Sequence, residues 1–348
     1  MREKVLLGMS GGVDSSVAAL LLKNQGYEVI GVTFRLFAGE ENNAEESIRD
    51  AAAVCERLGI AHTVLDLEAC FHREVIGRFI NSYESGETPN PCVECNRRIK
   101  FSKMLALADE LGAKYVATGH YAKVKRTEDG RYLLQKGRDE KKDQPYFLYS
   151  LTQESLARVL FPLGDHTKDE VRAMAEQNGF VTARKRDSQD ICFVKDGDYA
   201  AFIEAYTKKS YSEGDFIDAE GKVLGRHKGA IRYTVGQRKG LGISLGKHAF
   251  VLEKNMKDNT VTLGDNEDLF APSLAARDAS FVLDVEIGVP MRVAAKIRNT
   301  QKETAVTLTR IDEGHFKVDF DTPQRAISRG QSVVLYDGDC VLGGGIIE

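Results

Sequence analysis

The chain has 348 residues, 42% of them hydrophobic, and a formal net charge of −4. That is enough apolar material for more than one core, and the length predicts two or three domains. No run approaches a membrane span, and Arg2, Glu3 and Lys4 precede only a short apolar stretch, so neither a signal peptide nor a membrane partner is expected and the expected compartment is the cytoplasm.

Residues 4–9 read as a strand, and an apolar pattern over 13–25 reads as a helix. Between them runs Gly8-Met9-Ser10-Gly11-Gly12-Val13-Asp14-Ser15-Ser16. A glycine pair lets the backbone turn tightly, the first helical amides lack internal partners, and the serines add hydroxyl donors, which together make a phosphate cradle. The spacing is neither that of a Walker A loop nor that of a dinucleotide fingerprint. Further strands are predicted at 28–34, 61–67 and 115–118, and further helices at 45–58, 68–85 and 96–111. Gly26, Gly59 and Gly112 stand just past three of the helices, where a left-handed cap is wanted. This alternation predicts a doubly wound parallel sheet with helices on both faces. Ligands of such sheets sit beyond the carboxyl ends of the strands, where the glycine loop, Phe34 and Thr118-Gly119-His120 all fall.

Helices are predicted at 168–178, with a capping box from Thr167 to Glu170, and at 199–206. From about Gly214 the chain turns to short alternating runs, at 251–254, 260–263, 292–297, 304–309, 316–320 and 332–336. Such spacing predicts small β units. The expected division is 1–206, a central unit 207–272 and a β barrel 273–348, the last split off near Phe270-Ala271-Pro272. A barrel of that kind is expected to be removable without loss of nucleotide binding.

Local charge departs from the bulk. Arg97, Arg98, Lys100 and Lys103 cluster, as do Arg184, Lys185 and Arg186, and Arg226, Lys228, Arg232, Arg238 and Lys239. Acids gather elsewhere, as in Glu40, Glu41, Glu45 and Glu46. A basic face on a mildly acidic chain predicts a selective polyanion binder.

The six cysteines do not look like a disulfide framework. Cys92 and Cys95 form Cys-x-x-Cys inside Thr88-Pro89-Asn90-Pro91-Cys92-Val93-Glu94-Cys95-Asn96, which points to redox, metal or sulfur chemistry. With a helix expected from Asn96, Cys95 falls at its N-terminus beside Arg97 and Arg98, and both effects favour a thiolate. Cys192, after the basic run 184–186, is expected to be a thiolate too. Cys55, Cys70 and Cys340 fit core packing.

The loop at 8–16 resembles the PP-loop of the ATP pyrophosphatases, which split ATP between the α and β phosphates. The Thr-Pro-Asn-Pro-x-x-x-Cys-Asn stretch, Ala-Thr-Gly-His-Tyr-Ala at 117–122, Lys-Asp-Gln-Pro-Tyr-Phe-Leu at 142–148, Asp-Ser-Gln-Asp-Ile-Cys-Phe at 187–193 and Tyr-Thr-Val-Gly-Gln-Arg-Lys-Gly-Leu-Gly at 233–242 extend the likeness over nearly the whole chain. In this order they resemble the tRNA-specific 2-thiouridylases, the MnmA family. The resemblance implies an adenine nucleotide α-hydrolase-like sheet domain, a small central domain and a C-terminal β barrel. It implies sulfur insertion at C2 of the wobble uridine of tRNA, with ATP and Mg²⁺ as cofactors and a cysteine desulfurase or sulfur relay protein as persulfide donor.

By the same likeness ATP is held by Gly8, Met9, Ser10, Gly11, Gly12, Val13, Asp14 and Ser15, with Phe34 (in place of a common methionine) and Gly119. Cys192 carries the persulfide and Cys95 is its partner, attacking or forming a disulfide as sulfur leaves. Asn90, Pro91 and Cys92 border the target base. His120, Lys142, Asp143, Gln144, Arg298, Asn299 and Gln331 touch the tRNA. Many relatives have Asp at the position of Cys92. A [4Fe–4S] cluster on Cys92, Cys95 and Cys192 is therefore the alternative to a persulfide relay, and the relay is preferred. The rival classes are a PP-loop ligase that transfers nitrogen and a non-catalytic tRNA binder. No glutaminase domain is visible for the first, and the intact Asp14 and Ser15 oppose the second.

Overall fold

In a computed structural model that describes residues 2–37, 44–142, 144–185 and 191–348, strand β1 (Lys4–Gly8) lies at the centre of the N-terminal sheet. Glu40, Glu41, Asp143, Arg186 and residues 187–190 lie outside the described residues. Strand β1 reads as a continuous apolar run because both faces are covered. Val5 and Leu7 pack with helix α1 (Val13–Asn24), while Leu6 packs on the opposite side.

The chain continues through β2 (Glu28–Arg35), α2 (Ala44–Leu58) and β3 (Ala61–Asp66). Helix α3 (Glu68–Phe71) runs through a π-helical turn (His72–Ile76) into α4 (Gly77–Glu84). Helix α5 (Pro91–Cys95) runs through a second π-helical turn (Asn96–Lys100) into α6 (Phe101–Glu110), which leads to β4 (Tyr115–Ala117). A hairpin of β5 (Ala122–Arg126) and β6 (Tyr132–Lys136) follows, then α7 (Gln153–Leu156), β7 (Val159–Leu160), α8 (Lys168–Gln177) and α9 (Tyr199–Thr207). The sheet order is β3-β2-β1-β4-β7, with every pairing parallel. Helices α1, α2 and α8 share a core on one face, and α6 packs on the other. Chain order reverses between β1 and β4, so the crevice at the carboxyl ends of these two strands is the topological switch point.

Strands β8 (Gly214–Ile217), β9 (Val223–His227), β10 (Phe250–Asn255) and β11 (Thr260–Gly264) form a small central sheet around Phe216, Val251 and Val261. Strands β12 (Phe270–Phe281), β13 (Met291–Lys296), β14 (Thr304–Arg310), β15 (Phe316–Arg325), β16 (Ser332–Asp337) and β17 (Cys340–Ile347) close into a barrel through the β12–β17 pairing. Among the described residues no helix is long and apolar enough to cross a membrane.

One expectation is corrected here, and one element is new. The helix expected from Asn96 starts at Pro91: Asn90 is its N-cap, accepting from the Cys92 amide at 3.2 Å, and Pro91 fills the first position, where its missing N–H costs nothing. The hairpin β5–β6 was not foreseen, and it carries the barrel. Strand β17 pairs with β6, Cys340 opposite Gln135 and Val341 opposite Leu134, so barrel and hairpin form one continuous sheet.

Candidate active site

The loop after β1 is tied to itself and to its surroundings. The Ser15 hydroxyl donates to the Gly12 carbonyl at 3.1 Å and lies 3.2 Å from the Ser10 amide, which donates to it. The Ser16 hydroxyl donates to the Gly12 carbonyl at 2.8 Å and meets the Thr182 hydroxyl at 2.9 Å. Gly11 has a φ of +67°, and a Cβ there would collide with the Ser47 backbone at the start of α2. Gly119, just beyond β4, comes so close to the loop that a Cβ would stand 2.9 Å from the Asp14 carbonyl carbon and 3.0 Å from the Ser15 nitrogen. The two strand ends therefore touch at the switch point.

Asp14 is held by residues that sequence reasoning did not assign. Lys168 donates to both its oxygens, at 2.7 and 2.8 Å, and the Tyr121 hydroxyl donates to Oδ1 at 2.8 Å. Lys168 is nearly buried at the first position of α8, where the Thr167–Glu170 capping box fixes the helix start. The capping box was legible, but the ammonium's destination was not. Gln144 accepts the Tyr121 amide at 2.7 Å and so braces this group from behind.

The thiols sit beyond the ends of β2 and β3. Cys95, Ile191 and Phe193 pack with Phe34, Leu65 and Leu67 there. Phe193 is fixed by edge contacts with Phe71 and Phe79, which anchors Cys192 beside it. All six cysteines are free thiols.

The thiolate expectation is overturned. Burial raises the pKa of Cys95, and its neighbour Cys92 adds to the rise while Lys100 opposes it. Cys192 is pushed up to about 12, first by burial and then by Cys95 and Cys92. Cys92 is also raised by burial and lowered by Lys100. Cys92 and Cys192 are exposed as residues, yet protein crowds their thiols closely enough to penalise a charge. The arginines do not help as expected: Arg98 is engaged by Glu94 at 2.5 Å and Arg97 projects into solvent.

Lys100 is the shared cation. It favours the thiolate at all three cysteines and disfavours a charged His120. His120, driven mainly by burial well below the usual imidazole range, is neutral at physiological pH; it hydrogen-bonds Thr118 at 2.7 Å and stacks on Phe101. Sequence reading had placed Lys100 in a basic cluster without singling it out.

Several predicted RNA contacts face inward. Arg298 donates to the Ala326 carbonyl at 2.8 Å and the Ser328 hydroxyl at 3.1 Å, and Gln331 donates to the Thr88 carbonyl at 2.7 Å. Asn299 Oδ1 is buried without a hydrogen-bond partner among the described residues. Lys142 is half-buried in a short 3₁₀ turn. The basic clusters are partly neutralised: Lys185 pairs with Asp50 and Glu46, Arg226 with Asp215, and Arg232 with Glu204. Cys70 is not core. It borders a 360 Å³ recess with Arg73, Arg97, Arg98 and Lys103.

Among the described residues, no group of three or more His, Cys, Asp or Glu is spaced to hold a metal ion. The three thiols feel one another but do not present a cluster's ligand set. Asp14 is different: among the described residues its Oδ2 accepts only from Lys168, which leaves lone-pair capacity for a hard cation arriving with phosphate.

Three family profiles match successive stretches of the chain: tRNA methyl transferase HUP domain over residues 3–196, tRNA methyl transferase PRC-barrel domain over 200–265, and aminomethyltransferase beta-barrel domain over 272–347. The tRNA-specific 2-thiouridylase MnmA of Clostridioides difficile (strain 630) is 51% identical over 356 residues, covering 100% of this chain and 99% of the relative. That of Acetivibrio thermocellus is 48% identical over 357 residues, again covering 100% and 99%. Phosphate loop, cysteine pair and barrel all fall within these full-length matches, and the chain belongs to the MnmA family of tRNA-specific 2-thiouridylases within the PP-loop superfamily.

Proposed function

We propose that this chain is an ATP-dependent tRNA uridine 2-sulfurtransferase that acts on the wobble base by a persulfide relay. The observation that supports it best is that Cys95 packs with Ile191 and Phe193, the neighbours of Cys192, beyond β2 and β3, with Cys92 one turn away on the same helix and Lys100 favouring the thiolate at all three.

A uracil carbonyl oxygen is a poor leaving group. ATP adenylates O2 and pyrophosphate departs from the PP-loop; Asp14 is the carboxylate that would hold Mg²⁺, which would supply charge neutralisation to the phosphates. Lys168, held in place by Asp14, adds a fixed cation where negative charge develops. A sulfur donor has by then transferred sulfane sulfur to Cys192. A persulfide is more acidic than its parent thiol, so the raised pKa of Cys192 hinders attack less once sulfur is loaded. The terminal sulfur attacks C2, the C2–O2 bond breaks and AMP leaves. Cys95 then attacks the Cys192 sulfur, giving a Cys95–Cys192 disulfide and 2-thiouridine, and an external thiol reductant restores both thiols. Asn90, Pro91 and Cys92 border the base, which is splayed out of the anticodon to reach them. The relay is preferred to the cluster alternative because, among the described residues, no group of three or more His, Cys, Asp or Glu is spaced to hold a metal.

The test is thiolation of tRNA with ATP, a persulfide donor and a reductant, with AMP and pyrophosphate counted per thiouridine. Cys192→Ser and Cys95→Ser should each eliminate the product, while Cys55→Ser should retain it. An active Cys192→Ser enzyme would remove the relay.

A further inference from the structure

The C-terminal barrel meets the cysteine loop through the turn at residues 326–331 and through strand β12. The Thr88 amide donates to the Arg329 carbonyl at 2.8 Å. The Gln331 side-chain amide donates back to the Thr88 carbonyl at 2.7 Å and reaches the Pro89 carbonyl at 3.4 Å. Gly330, at φ +86°, lies so close that a Cβ would stand 2.7 Å from the Glu87 Cβ and 3.0 Å from the Thr88 nitrogen. Strand β12 adds Arg277, which grips both oxygens of the mostly buried Glu87 at 3.0 and 3.1 Å.

The turn is itself over-determined. Arg298 braces the Ala326 carbonyl and Ser328, and the backbone ties Gly330 and Gln331 to Ile347 of β17. Ala326 is held at φ +53°, a conformation that costs a non-glycine residue energy and persists only when its surroundings impose it. A Cβ on Gly236, within the 233–242 motif of the central unit, would stand 2.7 Å from the Ala326 Cβ. Catalytic domain, central unit and barrel therefore meet at this turn, one residue pair away from Asn90 and the helix that starts with Pro91 and Cys92.

We propose that the 326–331 turn is a latch for the cysteine loop and that Gln331 is its positioning residue, acting on Cys92 and Cys95 through the carbonyls of Thr88 and Pro89. The loop has two prolines and few amides of its own to satisfy, so its pose is set from outside by the barrel. The significance given to those thiols rests on the proposed reaction; the latch does not.

The experiment is the alkylation rate of each cysteine by iodoacetamide, resolved by peptide mass spectrometry, in full-length protein without RNA or ATP. Gln331→Glu keeps the size but turns a donor into an anion facing two carbonyls, and Arg277→Gln releases Glu87 on the other side. Each should raise the rates at Cys92 and Cys95 roughly fivefold, the factor of about one net hydrogen bond, with Cys55 unchanged. In thiolation assays both should lower kcat, leaving the tRNA KM within about twofold. Unchanged thiol reactivity with a raised tRNA KM makes Gln331 an RNA contact and overturns the latch. If Cys55 also reacts in Gln331→Glu, that variant has unfolded and Arg277→Gln alone decides. A protein that shows the thiol effect but never thiolates tRNA overturns the proposed function and leaves the latch standing.

Discussion

At the scale of residues, the site combines a pre-paired anion with suppressed nucleophiles. Asp14 orients Lys168, so Asp14→Asn should abolish thiolation while tRNA affinity stays within a few-fold, as measured by product formation and filter binding; thiolation near the wild-type rate would remove the role given to Asp14. The thiols carry a pH signature. Cys192 is pushed to about 12, so its unloaded thiol stays protonated through neutral and mildly alkaline pH. Its alkylation rate should keep climbing with pH past 9, where an ordinary thiol levels off; a plateau by pH 9 would contradict the crowding. The linkage sign follows. The folded pKa lies above the unfolded one, so the contribution to stability is complete below about pH 8.5 and is lost as pH rises toward 12. Removing the shared cation by Lys100→Gln should slow alkylation of all three cysteines. Cys92 has no thiolate role in a relay, so Cys92→Asp should thiolate in air with a persulfide donor. Activity confined to wild type after anaerobic iron–sulfur reconstitution would overturn the relay and leave the substrate standing.

At the scale of elements, what could be read from sequence was periodic, and what could not was relational. Strand β1, helix α1 and the capping box of α8 follow from apolar spacing and cap chemistry, which act within a few residues. The start of α5 was missed because two prolines around Asn90 read as an extended approach, whereas Pro91 is a favourable first helical residue once Asn90 caps it. The same slip moved Cys95 from a helix N-terminus, where a thiolate is favoured, to a crowded position one turn in. The loop motif announced Asp14, but nothing near Lys168 in sequence announces a partner 154 residues away. Asn90→Ala removes the cap and should cost about 1 kcal/mol in thermal or urea unfolding. It should also disorder the first turn, which would appear as faster alkylation of Cys92 than of Cys192. Equal stability in the variant would mean that the latch, and not the cap, starts the helix.

At the scale of the molecule, charge and core give different answers about the barrel. A chain of net charge −4 that binds tRNA through phosphate contacts releases counterions, so affinity should fall steeply between low and high salt. The barrel was expected to come away cleanly, with nucleotide binding retained. The structure opposes this on two counts. Strand β17 continues the β5–β6 hairpin, so removal leaves an open sheet edge on the catalytic domain. The barrel's Val282, Val334, Tyr336 and Val341 are buried with Leu134, Tyr146, Leu148 and Tyr149 of the catalytic domain, and the Tyr146 hydroxyl donates to the Ser332 carbonyl at 2.8 Å. Each large apolar side chain uncovered costs roughly 1.5–3 kcal/mol, so exposing several approaches the 5–15 kcal/mol that holds a typical domain together. A fragment ending at residue 272 should therefore melt far below the full chain or aggregate, losing ATP binding along with tRNA binding. Differential scanning calorimetry and nucleotide titration of that fragment decide the matter: a melting temperature within a few degrees of full length, with ATP affinity intact, would show that the shared core contributes little and that the barrel is an appendage.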